Sequence, residues 1–200
     1  MSFEVDLAIR RGGHLIEAAF ASPEGATVLV GRSGAGKTSV VMALAGLVRP
    51  ERGRIAVGGR TLFDADAGID VPPERRQAGV VFQEARLFPH RRVAANLRYA
   101  MREDADWDRT VAMLGIGHLL DRWPRTLSGG EARRVAIGRA LLSGPAFLLL
   151  DEPLSSLDPE RREEIMQAIE RIRDEVRLPI LMVTHDAQEA ERIGTAIVRM

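Results

Sequence analysis

Gly31-Arg32-Ser33-Gly34-Ala35-Gly36-Lys37-Thr38 reads G-x-x-x-x-G-K-T. This is the pattern of a phosphate-binding loop, whose backbone N–H groups wrap an anion while a compact ammonium reaches its outer oxygens. Lys37 is the only lysine of the chain; every other member of its 28 Lys+Arg is arginine. A composition that avoids lysine keeps one where a planar guanidinium fork would be too large and too directional. Gly34 and Gly36 let backbone approach phosphate, and Thr38 offers a hydroxyl to Mg²⁺. Just before the loop, residues 26–30 (ATVLV) form a short apolar, β-branched run suited to a buried strand. Just after it, residues 39–47 (SVVMALAGL) can continue as a helix. The loop therefore joins strand to helix, and the helix N-terminus turns its partial positive charge toward phosphate. Such a pattern arises by chance in well under roughly 1% of chains this long. Nucleotide binding is the first expectation.

The 200 residues, 46% of them hydrophobic, suffice for one domain with its own core and room for a subdomain. Formal net charge is +0, so no basic field argues for a nucleic-acid partner. There is no cysteine, which excludes disulfides and thiolate–zinc sites and suits a reducing compartment. No apolar stretch, 146–150 included, comes near the length of a bilayer span. The opening MSFEVDLAIRR mixes acids with apolar residues and does not read as a secretory leader. A soluble protein is expected.

Residues 147–153 (FLLLDEP) carry a second half of the site. The apolar run fits a strand covered on both faces of a parallel sheet, and ligands bind at the carboxyl ends of such strands. Asp151 is placed to hold Mg²⁺ and its water, and Glu152 to orient a water against a terminal phosphate. Leu127-Ser128-Gly129-Gly130-Glu131 precedes a helical run, 132–142 (ARRVAIGRALL), with Val135, Ile137, Ala140 and Leu141 roughly on one side. Ser128 can cap that helix and the glycines can make the turn. A cap alone does not explain why this segment shares a chain with a lysine loop and an Asp-Glu strand end.

In this combination the chain resembles the ATP-binding subunit of ABC transporters over nearly its whole length, with LSGGE matching the family signature residue for residue. The resemblance implies an α/β P-loop NTPase fold with a mostly parallel central sheet, a small antiparallel β subdomain and a helical subdomain. The nucleotide-binding core would comprise 1–83 and 144–200, and the helical subdomain 84–143. The implied cofactors are ATP and Mg²⁺. Gly31, Arg32, Ser33, Gly34, Ala35, Gly36, Lys37, Thr38 and Ser39 would hold the phosphates; Thr38, Gln83 and Asp151 would serve the metal. Gln83, in VVFQ, resembles the glutamine that touches Mg²⁺ and the attacking water, and His185, in MVTHD, the histidine at the γ-phosphate. Glu152, Gln83 and His185 are thus the expected catalytic residues. Ser155-Ser156-Leu157-Asp158 resembles the D-loop, which implies a place for Asp158 among the nucleotide-binding residues. Asp158 before Pro159 is also a good N-cap for a helix over 160–176, with Ile165, Ile169, Ile172 and Val176 on one face. Ser128, Gly129, Gly130 and Glu131 would face ATP held by a second copy, which makes a homodimer with two shared sites. The remaining implied partners are integral-membrane permease subunits and, indirectly, an external substrate-binding protein. The implied location is cytoplasmic, on the inner face of the membrane, with no nucleic acid bound.

Residues 54–62 (RIAVGGRTL) read as a hairpin turned at Gly58-Gly59. The middle region lacks strand alternation and holds helical stretches at 91–101 and 107–114. Leu87, Phe88 and Pro89 are apolar in an expected loop, as either a partner surface or a local packing cluster. Residues 61–69, 72–76 (PPERR), 82–90 (FQEARLFPH) and 96–99 (NLRY) look like the molybdate-import ATPases. Sulfate, tungstate, iron and polyamine importers are the near alternatives. Soluble ATPases of the same superfamily are a more distant one, since they carry coiled coils, zinc insertions or tandem cassettes. LSGGE and the histidine argue against a P-loop kinase or GTPase, and Glu152 with His185 against a module that binds without turnover. Three departures stand out. The only aromatics ahead of the lysine loop are Phe3 and Phe20, which leaves the family's adenine-stacking ring without an evident counterpart. Arg133 stands where the signature helix usually has glutamine. The chain ends at Met200, so the oxyanion-binding domain that molybdate ATPases often carry is expected to be absent.

Overall fold

The computed structural model describes residues 2–200. Strands β1 (Phe3–Arg11) and β2 (His14–Ser22) form an antiparallel hairpin across Gly12-Gly13. β1 also pairs with β4 (Arg52–Val57), β4 with β5 (Arg60–Asp64), and β5 with the short β6 (Ile69–Asp70). The sheet order is β2-β1-β4-β5-β6. Along β1, Phe3, Val5, Leu7 and Ile9 are buried, which is the period-two pattern of a sheet with one face on a core. The hairpin turn between β4 and β5 falls at Gly58 and Gly59. Both have positive φ (56° and 78°), as the tight two-residue turn that matches strand twist demands.

A second sheet is parallel throughout. Its order is β10 (Ala196–Arg199), β3 (Ala26–Val30), β9 (Ile180–Thr184), β8 (Phe147–Asp151), β7 (Ala78–Val81). β8 and β9 are buried at every position. Their unbroken apolar runs follow from having a core on each side. Phe147, Leu149, Leu181 and Val183 pack with helix α1 (Lys37–Leu44) and the antiparallel sheet. Leu148, Leu150, Ile180 and Met182 pack on the other side, with helices α5 (Gly129–Leu142) and α6 (Pro159–Arg171). Shorter helices complete the chain: α2 (Pro73–Arg76), α3 (Val93–Arg98), α4 (Trp107–Met113) and α7 (Ala187–Ile193).

Helix boundaries depart from the sequence expectation in instructive ways. The helix after the lysine loop was expected over 39–47 but runs Lys37–Leu44. Its stop is local: Gly46 is left-handed (φ 79°), its N–H reaches Ala43 O at 3.1 Å, and Leu47 N reaches Met42 O at 2.8 Å, the turn a glycine makes just past a helix. Arg76, 1% exposed, donates Nη1 to the carbonyls of Ala43 (2.6 Å) and Leu44 (3.1 Å), and Nε to Val71 O. Those carbonyls are among the ones a helix C-terminus leaves unpaired. The expected helix over 160–176 is α-helical only to Arg171 and continues as a wider π turn over Ile172–Val176. The wider turn breaks the 3.6-residue register, so Ile172 is buried while Val176 is exposed rather than sharing its face. The 91–101 stretch is helical only over Val93–Arg98, and the 107–114 stretch over Trp107–Met113.

Candidate functional site

The parallel pairing brings four strand ends into one row. Val30 is opposite Thr184, Asp151 opposite Val183, and Val81 opposite Leu150. The residues that follow therefore emerge together: the loop at Gly31, Glu152, His185 and the Phe82-Gln83 step. Ligand sites of open α/β sheets lie outside such carboxyl ends.

A cleft of about 480 Å³ opens there. Ser33, Gly34, Gly36, Lys37, Thr38 and Ser39 form its floor, and Gln83 and Glu152 border it. Lys37 is 4% exposed, and its Nζ donates to the carbonyls of Gly31 (2.8 Å) and Arg32 (3.0 Å). These bonds fix the ammonium over the loop and leave it a further donor for the cleft. Gly36 has φ 96° and is the N-cap of α1, with no side chain on the helix's first N–H groups. A Cβ at Gly36 would sit 2.5 Å from Ile16 Cγ2, so only glycine fits between loop and β2. Thr38 Oγ1 donates to Asp151 Oδ1 at 3.0 Å. Asp151 is 4% exposed, and burial pushes its carboxyl above the ordinary range; the Thr38 hydroxyl and the charges of Lys37 and Arg133 pull the other way. Paired oxygen donors, one anionic and one neutral, suit a hard cation that keeps most of its own water.

Glu152 follows β8 in the left-handed region (φ 46°), anchored by its N–H on Val183 O at 3.0 Å. For a side chain other than glycine this backbone costs on the order of 1 kcal/mol, a strain that clusters at functional sites. Its Oε2 lies 3.5 Å from His185 Nδ1, and the imidazole is 58% exposed. Beneath His185, Thr184 Oγ1 donates to the buried Glu189 carboxylate at 2.5 Å and accepts from Asp186 N. Burial raises the Glu189 carboxyl. The Thr184–Glu189 support was not foreseen; a threonine before the histidine and an acid five residues on were its only traces.

Ser128, Gly129, Gly130, Glu131 and Asp158 do not line this cleft. Ser128–Glu131 sit at the start of α5, and Asp158 at the start of α6. Ser128 caps α5 through a full capping box: its Oγ accepts from Glu131 N, and Glu131 Oε2 accepts from Ser128 N at 2.6 Å. Arg122 pairs with the same carboxylate. Gly129 is exposed and Ser128 half-buried, while Gly130 is buried under the Arg161 side chain. Asp158 caps α6, accepting from Arg161 N, and pairs with the Arg161 guanidinium at 3.3 Å.

Other side chains reach the cleft unannounced by motif. Arg11, His14 and Ile16, from the β1–β2 hairpin, form its outer wall. Phe3 is buried edge-on to Phe147 and Phe20 packs on the adjoining core, so neither ring faces the cleft. Leu87 packs against the core, and the Phe88 ring lies against Tyr99, centroids 4.5 Å apart and tilted by 55°. Their loop is tied down by the buried Asn96, which accepts from Phe88 N and donates to Arg91 O. Among the described residues no helix is long and apolar enough to cross a membrane.

Residues 19–155 match the profile of a family described as ABC transporter. The chain is 57% identical over 199 residues to the Molybdenum import ATP-binding protein ModC of Brucella melitensis, covering 97% of this chain and 55% of that protein. The protein of the same description in Mesorhizobium japonicum is 52% identical over 206 residues, covering 100% and 56%. The chain thus spans little more than half the length of these relatives. Among solved structures it is similar to the ATP-binding cassette MJ0796, a dimer in a post-hydrolysis state bound to ADP and Pi. The TM-score is 0.77 at 25% identity, with 100% of this chain and 93% of the other covered.

Proposed function

Because the chain belongs to the ABC transporter family, we propose that it binds ATP with Mg²⁺ in the cleft above the parallel sheet, hydrolyses it, and so energises import of molybdate. The observation that carries this reading is the convergence of Lys37, the Thr38–Asp151 pair and Glu152 at one row of strand ends. The loop amides and Lys37 bind the β- and γ-phosphates, with the uncapped N-terminus of α1 aimed at the same anion. Thr38 and Asp151 would hold Mg²⁺, with Gln83 beside them; the ion supplies positive charge that offsets the charge on the phosphates. Glu152 accepts a hydrogen bond from the attacking water and orients it, and His185 contacts the γ-phosphate from the next strand end. The strained turn at Glu152 fixes where that carboxylate points.

Residues 1–83 and 144–200 act as the nucleotide-binding core and 84–143 as a helical unit that meets membrane subunits. The 128–131 turn completes the site of a second copy. Its exposed Gly129 amide and the Ser128 hydroxyl proton are the groups available to a partner's phosphate. Two copies would sandwich two nucleotides about a two-fold axis. On this reading the chain works on the cytoplasmic face, beside permease subunits that receive cargo from an external binding protein. The names of the relatives in Brucella and Mesorhizobium support molybdate as that cargo.

Replacing Glu152 with Gln tests the chemistry. Turnover should fall at least about 100-fold while ATP still binds and a dimer accumulates in its presence. A variant that hydrolyses ATP normally would refute the assignment. Co-purification with membrane subunits, then molybdate uptake by the complex in sealed vesicles, tests the transport role; uptake of sulfate alone would replace molybdate with another oxyanion.

A further inference from the structure

His185 stands at the tip of a turn that is held from below. Its imidazole is 58% exposed, meets Glu152 Oε2 at 3.5 Å, and borders a pocket of about 70 Å³. With more than half of the ring in solvent and a cavity beside it, side-chain packing does not fix the imidazole. Its place depends on the backbone of Thr184 and Asp186, on either side of it. Thr184, 2% exposed, is the last residue of β9. Its Oγ1 donates to Glu189 Oε2 at 2.5 Å and accepts from Asp186 N at 3.1 Å, so one hydroxyl closes the turn across His185. Asp186 in turn caps α7, with Oδ1 accepting from Gln188 N at 2.8 Å and Glu189 N at 3.4 Å. From α6, Arg162 faces both acids, 3.8 Å from Asp186 Oδ2 and 3.9 Å from Glu189 Oε1.

Holding α7 against the sheet does not need these polar groups. Ala190 and Ile193 are buried and already dock the helix on the core. A buried carboxylate is harder to fold than an apolar side chain of similar size. What the carboxylate supplies is direction. A threonine hydroxyl has one proton and two acceptor sites. Glu189 takes the proton, which turns the lone pairs toward the Asp186 amide. Without that acceptor the hydroxyl is free to rotate, and the turn loses its closing bond.

We propose that Glu189 and Thr184 are positioning residues for His185: the carboxylate orients the hydroxyl, the hydroxyl closes the turn, and the turn holds the imidazole beside Glu152. This rests on the Mg·ATP reading of the cleft, with His185 at the terminal phosphate. Neither residue lines that cleft, so each acts through the histidine rather than on the nucleotide.

The test is a double-mutant cycle in the full-length protein with its co-purifying membrane subunits. Thr184→Val keeps the shape and removes the hydroxyl. Turnover should fall about tenfold with KM for Mg·ATP changed by less than about twofold. Thr184→Ser returns the hydroxyl and should bring turnover back to within about threefold of wild type. In a His185→Ala background, Thr184→Val should cost less than a further twofold or so, because its effect passes through the imidazole. A merely structural residue would cost as much in either background. Hydrogen exchange at the Asp186 amide, whose bond to Thr184 Oγ1 is the one removed, should speed up while the amides of β9 stay protected. Glu189→Gln keeps an acceptor for the hydroxyl and should lose about threefold at most. Glu189→Leu removes the acceptor, should match Thr184→Val, and decides the matter if Thr184→Val does not fold. Wild-type turnover in Thr184→Val or Glu189→Leu would overturn the proposal. So would a further loss of about tenfold in the His185→Ala background. Faster exchange spread evenly through β9 and α7 would overturn it too, and that measurement decides if His185→Ala leaves no turnover to compare. Should the wild-type protein show no ATP turnover, the functional reading fails, but exchange at Asp186 still decides whether the hydroxyl closes the turn.

Discussion

Helix α1 begins at a left-handed glycine with no side chain on its first N–H groups; helix α5 begins at Ser128 with both halves of a capping box closed. The two N-termini belong to the two halves of one proposed site, yet they solve the same problem oppositely. The amides of α1 are left for an external anion, and the nearest charge, Lys37, is anchored to carbonyls of its own loop. At α5 the capping box satisfies the Ser128 and Glu131 amides, so that turn keeps its shape without any partner while the Gly129 amide stays exposed. One end leaves its amides open beside a fixed ammonium. The other is specialised to stay folded at a surface until something meets it.

The sharpest way to break this contrast is at Lys37. Lys37→Ala should abolish ATP turnover, by at least about 100-fold, and weaken nucleotide binding, while the fold persists. Lys37→Arg should fail almost as completely, because the fork cannot take both carbonyl contacts and still reach the cleft. A fully active arginine variant would mean that charge alone suffices.

Ser128→Ala comes next, with two separable effects. Loss of the cap should cost about 1 kcal/mol in thermal unfolding. Turnover should drop by more than stability explains, and only under conditions where two copies associate. A variant that loses stability but turns over normally would reduce Ser128 to a helix cap and leave the second half of the site unsupported.

The smallest effect concerns acid. The Glu131 carboxyl is held below its ordinary value of 4.5, first by the Ser128 N–H, with the nearby Arg122 and Arg134 charges adding to it. A carboxyl depressed in the folded state contributes stability that is present above its unfolded pKa and lost as pH falls through the folded one. The α5 cap should therefore weaken as pH drops below about 4.5, by about 1 kcal/mol at most. Glu131→Gln should remove that part of the pH dependence when melting is followed between neutral and acid pH. An identical pH profile for both proteins would show that the cap carboxylate is not what acid disrupts.

Strand ends and caps were legible in the sequence because their signals are local. The lysine loop lies between a β-branched run and a helix, the Asp151-Glu152 pair ends an apolar run, and Asp158-Pro159 opens α6. The parallel register then needs only strand pairing to gather Gly31, Gln83, Glu152 and His185. What the sequence hid depends on contacts between distant residues. Gly46 is a local sign that α1 ends, but nothing near it announces that Arg76 will bind the carbonyls of Ala43 and Leu44, and nothing near Phe82 announces the hydrogen bond its carbonyl accepts from Arg133. The π turn after Arg171 was hidden for a different reason: an apolar period of 3.6 looks the same whether or not the last turn widens. The outer wall of the cleft, Arg11, His14 and Ile16, was missed because a hairpin of mixed polarity carries no motif.

The strand that ends in Asp151 alternates its side chains between two separate interiors, one shared with α1 and one with α5. Immediate neighbours in the sequence therefore support different halves of the proposed site. Trimming Leu149 should loosen the packing beneath α1; trimming Leu148, one peptide away, should loosen the packing beneath α5. In such a protein the distance between two lesions along the gene says little about whether their consequences will be shared.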